Sequence, residues 1–496
     1  MKYIKISIVI LIVSFISIFA YKLTTNNSNN KLSLTKEQMK EMLSYTIDGN
    51  KTSSMPTKGS GYKVKSITCK NGSILSWDND NWLLEVEKVE SEDLCNIDFT
   101  TGTGSYTVTA VPSIAGSLDS TSKTTTENGQ VTFYTDLVID SVSGCTNEIS
   151  DDKVIIKNVT SNTTCNINVS YMKLYDKLLA DKSTVLTRTS FSSVLTTDNT
   201  KTLYTGTENG TTVYYFAGNA TDNWVKFGKN ASNKDLYWRI IRTNSDGSIR
   251  LLYHGTSTTA TDAVINTSTA FNEKRNDPMY VGYMYGTSGS LVNNRTNKNN
   301  STIKTTIDNW YASNLEAKGY TKYLSTTAVY CNDRSNPAGG YTTGNTSFYY
   351  GARTRLATNK TPTYDCTDTN DKFTVDTSTG NGKLKYPIAL MTTDEVSFAG
   401  GLYGNNAQTW YYYNSAKGSS TGSTWWWLLS ADYWDGSNAY VFGVDGSSLP
   451  GYLSYYHVNN SNGVRPAVSL KSCVKTSGGD GSANTPYTIE ESTSGC

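Results

Sequence analysis

The stretch from Trp425 to His457 combines aromatic rings with hydrogen-bonding side chains. Ten of its thirty-three residues are Trp, Tyr or Phe, against 11% of the whole 496-residue chain. Tyrosine offers a large, rigid contact surface with a hydrogen-bonding tip, and Ser, Gly and Asn add adaptable polar contacts. Tyr455, Tyr456 and His457 lie in such a polar context, between Ser454 and three later asparagines. The chemistry that this pattern indicates is the recognition of a ligand.

Strand alternation separates a core from a surface within that stretch. In the segment "NAYVFGVDG" it places Ala439, Val441 and Val444 on a buried face. Tyr440 and Phe442 fall on the other face. The run of three tryptophans upstream is interpreted mostly as core. We therefore expect a core strand followed by a binding face. The alternative is that the tyrosines simply decorate a β-rich surface.

Known catalytic and metal-binding patterns are missing from the sequence. A zinc site needs several histidine or thiolate ligands at close spacing, and the chain has two histidines, His254 and His457. There is no Gly-x-Ser-x-Gly elbow, no phosphate-binding Gly-Lys-Ser/Thr loop and no dinucleotide-binding glycine pattern. We therefore expect no enzyme activity, no cofactor and no bound metal.

The charge balance and the N-terminus indicate the partners and the compartment. Forty-four basic residues face forty-three acidic ones, so no basic surface for nucleic acid is expected. Lys2 and Lys5 precede an uncharged run from Ile6 to Tyr21, and Lys22 follows it, as in an export signal. We expect an N-terminal helix that anchors the protein in the membrane at the cell surface. If the signal is cleaved, the protein is secreted.

The eight cysteines predict disulfides, because an even number in an exported chain is typical of disulfide bonding. They fall into neighbours along the sequence, although the sequence alone leaves the connectivity open. The neighbouring pairs are Cys69 with Cys95, Cys145 with Cys165, Cys331 with Cys366, and Cys473 with Cys496.

The first two cysteine pairs belong to an internal repeat. The segment from Cys69 aligns with the one from Cys145: a cysteine, a turn, an alternating strand, a polar loop, and then Cys-Asn-Ile. Each unit predicts a hairpin or part of a small β-sandwich whose cysteines join adjacent strands. Repeated units of this kind behind a membrane anchor resemble the stalks of Gram-positive surface proteins. We therefore expect an all-β repeat stalk.

The C-terminal two-thirds predicts an α+β domain, the head. "NSDGS" between "WRIIRT" and "IRLLY" is a strong hairpin signal. In "STIKTTIDNWYASNLEAKG", Ile303, Ile307 and Leu315 fall on one face of a helix. A second, short helix begins at Thr392, which forms a capping box with Glu395.

These changes of pattern predict six segments along the chain. They are a signal peptide or membrane anchor at 1–23, a linker with a short helix at 24–59, a first β repeat at 60–112, a second β repeat at 113–172, the head at 173–475, and a C-terminal tail tied by a cysteine at 476–496.

The ordered motifs of the head carry a family resemblance. "WRIIRTNSDGSIRLLY", "STIKTTIDNWY", "YPIALMTTDEVSFAG" and "WWWLLS" followed by "GVRPAVSL" resemble an uncharacterised extracellular domain family of Gram-positive and gut bacteria. That family is similar to the C-type-lectin-like fold of formylglycine-generating-type proteins and of the variable proteins of diversity-generating retroelements. The resemblance covers roughly residues 190–473 and implies a C-type-lectin-like head. Folds of this kind host both enzymes and binding proteins.

The resemblance also implies roles for individual residues. Trp426 corresponds to a core strand, and Arg465 in "GVRPA" to a buried structural arginine. The calcium-ligand triplets of sugar lectins are missing, which argues against a calcium-bridged sugar. The residues that fall where the variable proteins carry their diversified binding surface are Tyr433, Trp434, Asp435, Asn438, Tyr440, Phe442, Tyr452, Tyr455, Tyr456, His457 and Asn459.

The sequence thus predicts a cell-surface binding or adhesion protein. Its aromatic-rich C-terminal face would recognise a glycan or a surface protein, and a diversified variable protein is one form of this hypothesis. Two alternatives remain open at this point. One is a structural surface protein without a ligand. The other is an oxidative enzyme of the formylglycine-generating type, which would need Cys331 and Cys366 as free thiols.

Overall fold

The computed structural model places the chain in two compact units, Met1–Tyr171 (unit 1) and Met172–Cys496 (unit 2). Strands make up 42% of the protein and helices 13%, so the fold is mostly β. Only the backbone is described in the short segments 3–8, 20–26, 409–410 and 413–414. The described residues are 3–8, 20–26, 41–79, 81–90, 92–102, 104–260, 263–405, 409–410, 413–414, 425–445, 452–492 and 495–496.

The N-terminal helix predicted over residues 1–23 is not seen among the described residues. Strands β1 (Tyr3–Ile8) and β2 (Ala20–Asn26) pair antiparallel there, and residues 9–19 lie outside the described part. Isoleucine recurs at every second position of β1, and β-branched side chains favour extended backbone. The linker helix predicted in the segment 24–59 begins outside the described residues. Among the described residues no helix is long and apolar enough to cross a membrane.

Unit 1 contains two β modules, each with its own core. In the first module, β4, β3, β8 and β5 form one sheet in that order, and β6 and β7 form another with β2 and β1. Ile97 and Phe99 on β8 are fully buried in the core of this module. The strands are β3 (Leu43–Ile47), β4 (Asn50–Thr52), β5 (Tyr62–Cys69), β6 (Ile74–Asp78), β7 (Leu83–Lys88) and β8 (Cys95–Thr101).

The second module is also built from two sheets. One has the order β10, β9, β15, β12, and the other β11, β14, β13. Phe133, Val154 and Ile167 are fully buried between them. The strands are β9 (Ser105–Pro112), β10 (Ser122–Thr126), β11 (Gly129–Tyr134), β12 (Val138–Ser143), β13 (Asn147–Ser150), β14 (Lys153–Val159) and β15 (Thr163–Ser170).

The two modules share a strand arrangement, which confirms the predicted β repeat. The last strand of each module, β8 or β15, runs parallel to the first strand, β3 or β9. The last strand also runs antiparallel to the strand that leads to the first cysteine of the module, which is β5 or β12. The disulfides Cys69–Cys95 and Cys145–Cys165 therefore join equivalent positions. Strand β9 lies within the sequence range assigned to the first repeat, yet it pairs in the second module.

Unit 2 is organised around a curled ten-stranded sheet. Strand β22 pairs along one edge with β23 and along the other with β21 and β19 in turn, so the sheet bends around it. The predicted hairpin is confirmed as β22 and β23, and its turn needs Gly247 at φ 77°. The strands are β16 (Thr184–Thr187), β18 (Thr202–Glu208), β19 (Thr211–Tyr215), β21 (Trp224–Lys229), β22 (Asp235–Thr243), β23 (Ile249–Gly255), β30 (Ile388–Leu390), β37 (Pro466–Leu470), β38 (Thr476–Gly478) and β39 (Tyr487–Ile489).

A second sheet of unit 2 carries the aromatic-rich segment. Its order is β24, β36, β33, β34, β35, and β28 pairs with β33. The strands are β24 (Asn266–Thr269), β28 (Phe348–Tyr349), β33 (Trp426–Trp434), β34 (Ala439–Val444), β35 (Leu453–His457) and β36 (Asn462–Val464). The short paired strands are β17 (Asp198–Asn199) with β20 (Asn219–Ala220), β25 (Met284–Tyr285) with β26 (Asn299–Asn300), β27 (Tyr330–Cys331) with β29 (Lys372–Phe373), and β31 (Thr409–Trp410) with β32 (Tyr413–Asn414).

The helices of unit 2 are short, and both predicted ones are confirmed. Ser301 caps helix Thr302–Tyr311, and Thr392 forms the expected capping box with Glu395. The α-helices are α1 (Leu174–Ala180), α2 (Leu291–Asn294), α3 (Thr302–Tyr311), α4 (Gly351–Arg353) and α5 (Thr393–Phe398). The 3-10 helices are Pro278–Val281, Tyr320–Tyr323 and Thr369–Asp371, and the π-helical turns are Ala312–Glu316 and Thr354–Asn359.

A large hydrophobic core joins the two sheets of unit 2 with helix α3, and a smaller cluster lies around Tyr215 and Phe398. Trp426 and Trp427 on β33 lie in it, as expected. Arg465 is fully buried, and its Nε donates to the carbonyl oxygen of Tyr253 at 2.8 Å, so it is a structural arginine. The remaining two disulfides, Cys331–Cys366 and Cys473–Cys496, are the predicted pairs.

Candidate ligand-binding face

The antiparallel strands β33, β34 and β35 bring predicted site residues into one row. Tyr433 lies opposite Tyr440, and Tyr440 lies opposite His457. Tyr455 is two residues before His457 on β35, so it points to the same side. Cross-strand neighbours have Cβ atoms about 5 Å apart, close enough for ring contacts. The register therefore builds a continuous aromatic surface from residues on three strands.

The rings of this row pack directly against one another. Tyr433 and Tyr440 stack with centroids 4.2 Å apart, and Tyr455 meets both edge to face at 5.1 and 5.7 Å. Tyr403, which forms a bridge beside β35, lies parallel to Tyr455 at 6.3 Å. Tyr349 on β28 contacts Tyr433 at 5.9 Å and is 52% exposed. We call these five side chains together with Arg353 the tyrosine face.

Three of the predicted binding residues are instead core residues. Trp434 and Phe442 are 1% and 0% exposed, and Tyr456 is 7% exposed. Phe442 lies on the same side of β34 as Tyr440, but Tyr403 packs over it at 6.2 Å. Alternation identifies a surface only where one side of the strand stays open, and at these three positions the side chain is covered.

The other predicted residues lie at or beside the tyrosine face. Asp435 and Asn438 form the turn between β33 and β34, where the Asp435 carboxylate accepts hydrogen bonds from the Asn438 backbone and side chain. Tyr452 is half-buried just before β35. Asn459 is exposed, and its side-chain oxygen lies 3.5 Å from Nη1 of Arg275.

Arg353 occupies the centre of the tyrosine face, and no motif in the sequence pointed to it. Its guanidinium carbon lies 4.5 Å from the ring centroid of Tyr403 and 4.8 Å from that of Tyr455. Tyr349 and Tyr433 are 5.1 and 5.7 Å away. A cation within about 6 Å of an aromatic face is attracted by the ring quadrupole. Four tyrosines therefore hold one arginine.

Strand pairing explains how Arg353 reaches this place. β28 pairs with the end of β33, and the chain then turns directly into helix α4. The backbone N–H of Tyr350 donates to the carbonyl oxygen of Asp432, which fixes the start of that turn. Gly351 is required next, because a Cβ there would lie 2.1 Å from Oγ of Ser335. Arg353 consequently projects beside the tyrosines of β33.

Asp432 supports the arginine from inside the protein. Nη1 of Arg353 donates to both carboxylate oxygens at 3.1 Å. Asp432 is fully buried, and burial raises its pKa to about 7 although the Arg353 charge and hydrogen bonds oppose this shift. The carboxyl group therefore titrates near neutral pH. It is the buried partner of the Arg353 guanidinium, which is partly exposed at the surface.

A chain of hydrogen bonds crosses the other end of the row. Arginine can only donate, so Nδ1 of His457 accepts from Nη1 of Arg275 at 2.8 Å. Nε2 then carries the hydrogen and donates to the hydroxyl of Tyr440 at 2.5 Å, and this hydroxyl donates to Asp435 at 2.9 Å. Burial, and then the charge of Arg275, lower the pKa of His457. The imidazole is thus neutral at pH 7 in a fixed tautomer.

A second group of charges in unit 2 lies inside the protein. Glu395 accepts from Nε of Arg242 at 3.0 Å and lies 3.4 Å from Nη1 of Arg250. Arg355 binds Asp394 with two parallel hydrogen bonds of 2.8 and 2.7 Å. The cavity between these groups has a volume of about 20 Å³, room for a water molecule. The pairs of Glu395 connect α5 to the large sheet, and the pair of Asp394 connects α5 to the π-helical turn Thr354–Asn359.

Arg353, Tyr349, Tyr403 and Arg275 were all missed from the sequence. They come from a three-residue helix, an edge strand and loops, and they lie between about 40 and 180 residues from the strand positions that they contact. No local pattern marks such positions, because their placement depends on long-range pairing. Comparison with protein-family models, with curated proteins and with solved structures finds no match for this chain.

Proposed function

We propose that the protein is an extracellular binding protein whose unit 2 recognises a glycan or protein ligand through the tyrosine face. The observation that carries the proposal is the set of four tyrosine rings around the guanidinium of Arg353. Tyrosine and arginine are the residues that most often dominate binding energy at recognition surfaces. Rings held by cross-strand stacking also lose little conformational freedom when a ligand binds.

The compartment belongs to the same proposal. Four disulfides are compatible with an exported protein, because disulfides persist in oxidising environments. The lysine-flanked apolar N-terminus supports attachment at the cell surface, or secretion after cleavage. Unit 1, with its two disulfide-bonded β modules, then serves as a stalk for adhesion.

We also propose a C-type-lectin-like arrangement for unit 2. Strands β33 to β35 form an antiparallel meander, and the chain then passes through β36 to β37, which pairs with β23 and β30 of the large sheet. Half-exposed positions on such rigid strands can change without refolding the core, which suits a diversified surface. Tyr433, Tyr440 and Tyr455 are the positions where such variation would alter the ligand.

Recognition is better supported than oxidative catalysis. Cys331 and Cys366 are bonded to each other, whereas a formylglycine-generating type of enzyme acting through them would need a reactive thiolate. If the protein had only a structural role and no ligand, substitutions at the tyrosine face would not alter binding in any assay.

The experiment compares three forms of the full-length protein on panels of glycans and cell-surface proteins. Tyr455→Ala removes the ring that contacts Tyr433, Tyr440 and Tyr403. Tyr134→Ala is the matched control, because Tyr134 is 48% exposed on unit 1. We expect binding to be lost in Tyr455→Ala and kept in Tyr134→Ala, with both proteins folded by circular dichroism. Equal binding by all three forms would exclude the tyrosine face as the site.

A further inference from the structure

Arg353 has hydrogen-bonding capacity that the fold leaves unused. Nη1 supplies both bonds to Asp432. A guanidinium carries five N–H groups, so one on Nε and two on Nη2 remain. Among the described residues these atoms have no acceptor, and the side chain stays 16% exposed. The Nε–Nη2 edge is therefore a set of parallel donors at the centre of the tyrosine face.

A neighbouring arginine demonstrates what this edge does when a carboxylate faces it. Arg355, two residues later, donates from Nε and Nη2 to the two oxygens of Asp394 at 2.8 and 2.7 Å. Two parallel N–H donors match the spacing of carboxylate oxygens, which makes bidentate pairs both strong and geometrically specific. The same edge of Arg353 can donate two parallel hydrogen bonds to a carboxylate from outside the protein.

We propose that the Nε–Nη2 edge of Arg353 binds the carboxylate of an acidic saccharide, whose sugar ring lies against the surrounding tyrosines. This inference rests on the proposed function and names the class of ligand. The negative face of a tyrosine ring attracts the polarised C–H bonds on the face of a pyranose. The ring centroids of Tyr403 and Tyr455 lie 4.5 and 4.8 Å from the guanidinium carbon. One sugar unit can therefore contact a tyrosine ring while its carboxylate binds Arg353.

The packing of the tyrosines favours a saccharide over an acidic protein. Tyr433, Tyr440 and Tyr455 are half-buried and stack on one another, so each exposes a strip of ring. A protein interface takes about 800 Å² from each partner and depends on broad apolar anchors. A single sugar unit needs only one or two rings and a polar anchor. Arg353 with its flanking rings has that size.

The test measures binding of the full-length protein to matched probes. A galacturonic acid trisaccharide is compared with its methyl ester, and 3′-sialyllactose with lactose, on an array that also holds other uronic acid oligosaccharides. Hexaglutamate represents an acidic protein segment. We expect the carboxylated saccharides to bind at least about tenfold more tightly than their neutral counterparts, because a charged hydrogen-bond pair is lost in the neutral forms.

Two variants connect this result to the arginine. Arg353→Lys keeps a positive charge beside Asp432 but removes the Nε–Nη2 edge, and it should weaken binding of the acidic probes by roughly tenfold to a hundredfold. Tyr455→Ala reports whether the tyrosine face binds at all. The thermal midpoint of each variant is compared with that of the unaltered protein, so a loss of fold is recognised.

Each outcome decides the inference. Equal binding of acidic and neutral probes, or unchanged binding by Arg353→Lys, overturns it; loss of binding in Tyr455→Ala would then leave the proposed function standing. Binding of hexaglutamate without any carboxylated saccharide overturns it in favour of an acidic protein ligand. If no probe binds, the inference fails, and the panel experiment with Tyr455→Ala still decides the proposed function. If probes bind but neither variant alters their binding, both the inference and the proposed function fail.

Discussion

Replacement of Asp432 by asparagine should flatten the pH dependence of the stability of unit 2. The carboxyl group is fully buried behind Arg353, and burial raises its pKa to about 7, against about 3.9 in an unfolded chain. The folded protein therefore holds this proton more tightly than the unfolded chain does. It follows that the contribution of Asp432 to stability is largest below pH 4 and is lost as the pH rises towards 7.

The magnitude follows from the two pKa values. Between pH 5 and pH 8 the linkage relation gives a loss of about 2 to 3 kcal/mol in the free energy of unfolding. Asparagine has nearly the same shape, and its oxygen can still accept from Nη1 of Arg353, but it does not titrate. Asp432→Asn should therefore lose about 2 to 3 kcal/mol less stability than the unaltered protein over this interval.

The assay is urea denaturation of the full-length protein at pH 5 and pH 8, with disulfides intact. Asp435→Asn serves as the control at the next carboxylate along the chain. Burial alone would raise the pKa of Asp435, but hydrogen bonds, chiefly from Asn438 and Ser437, hold it below its ordinary value. Asp435 stays ionised from pH 5 to 8 in both the folded and the unfolded protein. Asp435→Asn should therefore leave the pH dependence of stability unchanged. Equal pH dependence in Asp432→Asn and the unaltered protein would refute the reasoning.

Three further changes test the packing of unit 2 by the same denaturation assay. Replacing Cys331 and Cys366 by alanine opens a 35-residue loop and should cost about 3 to 4 kcal/mol; an unchanged midpoint would contradict this. Glu395→Gln removes the charge shared by two buried arginines and should cost about 3 to 5 kcal/mol, more than any single surface pair. Tyr456→Ala should cost about 3 to 5 kcal/mol and Tyr455→Ala much less, because only the first is buried; equal losses would contradict the burial argument.

Local patterns predicted those parts of the fold that depend on neighbouring residues. The hairpin of β22 and β23 follows from alternating strands around a turn with Gly247, and α5 follows from the capping box of Thr392 and Glu395. The four disulfides join cysteines that are 20 to 35 residues apart in sequence. In each case the partners lie close along the chain, so the sequence contains the information directly.

The N-terminal segment shows where a local pattern fits two structures, and β34 shows where local reasoning fails. An apolar run with flanking lysines predicts a helix, yet the isoleucines of β1 also suit a strand, and the pattern does not choose between them. In β34, alternation correctly separates Val441 from Tyr440, but it assigns Phe442 to the surface because it cannot foresee that Tyr403 covers that ring. Exposure depends on what the rest of the chain places above a strand.

The centre of the candidate site depends on such long-range placement. Arg353 and Asp432 are 79 residues apart, and neither is unusual in its own segment. A buried ion pair is weak evidence for stability, since apolar residues of similar volume often serve the fold equally well or better. Here the buried carboxylate fixes Nη1 of an arginine that lies between 4.5 and 5.7 Å from four tyrosine ring centroids, and its Nε and Nη2 have no acceptor among the described residues. This ion pair, which orients free donors among aromatic rings, is therefore the feature on which the proposed recognition of a ligand depends.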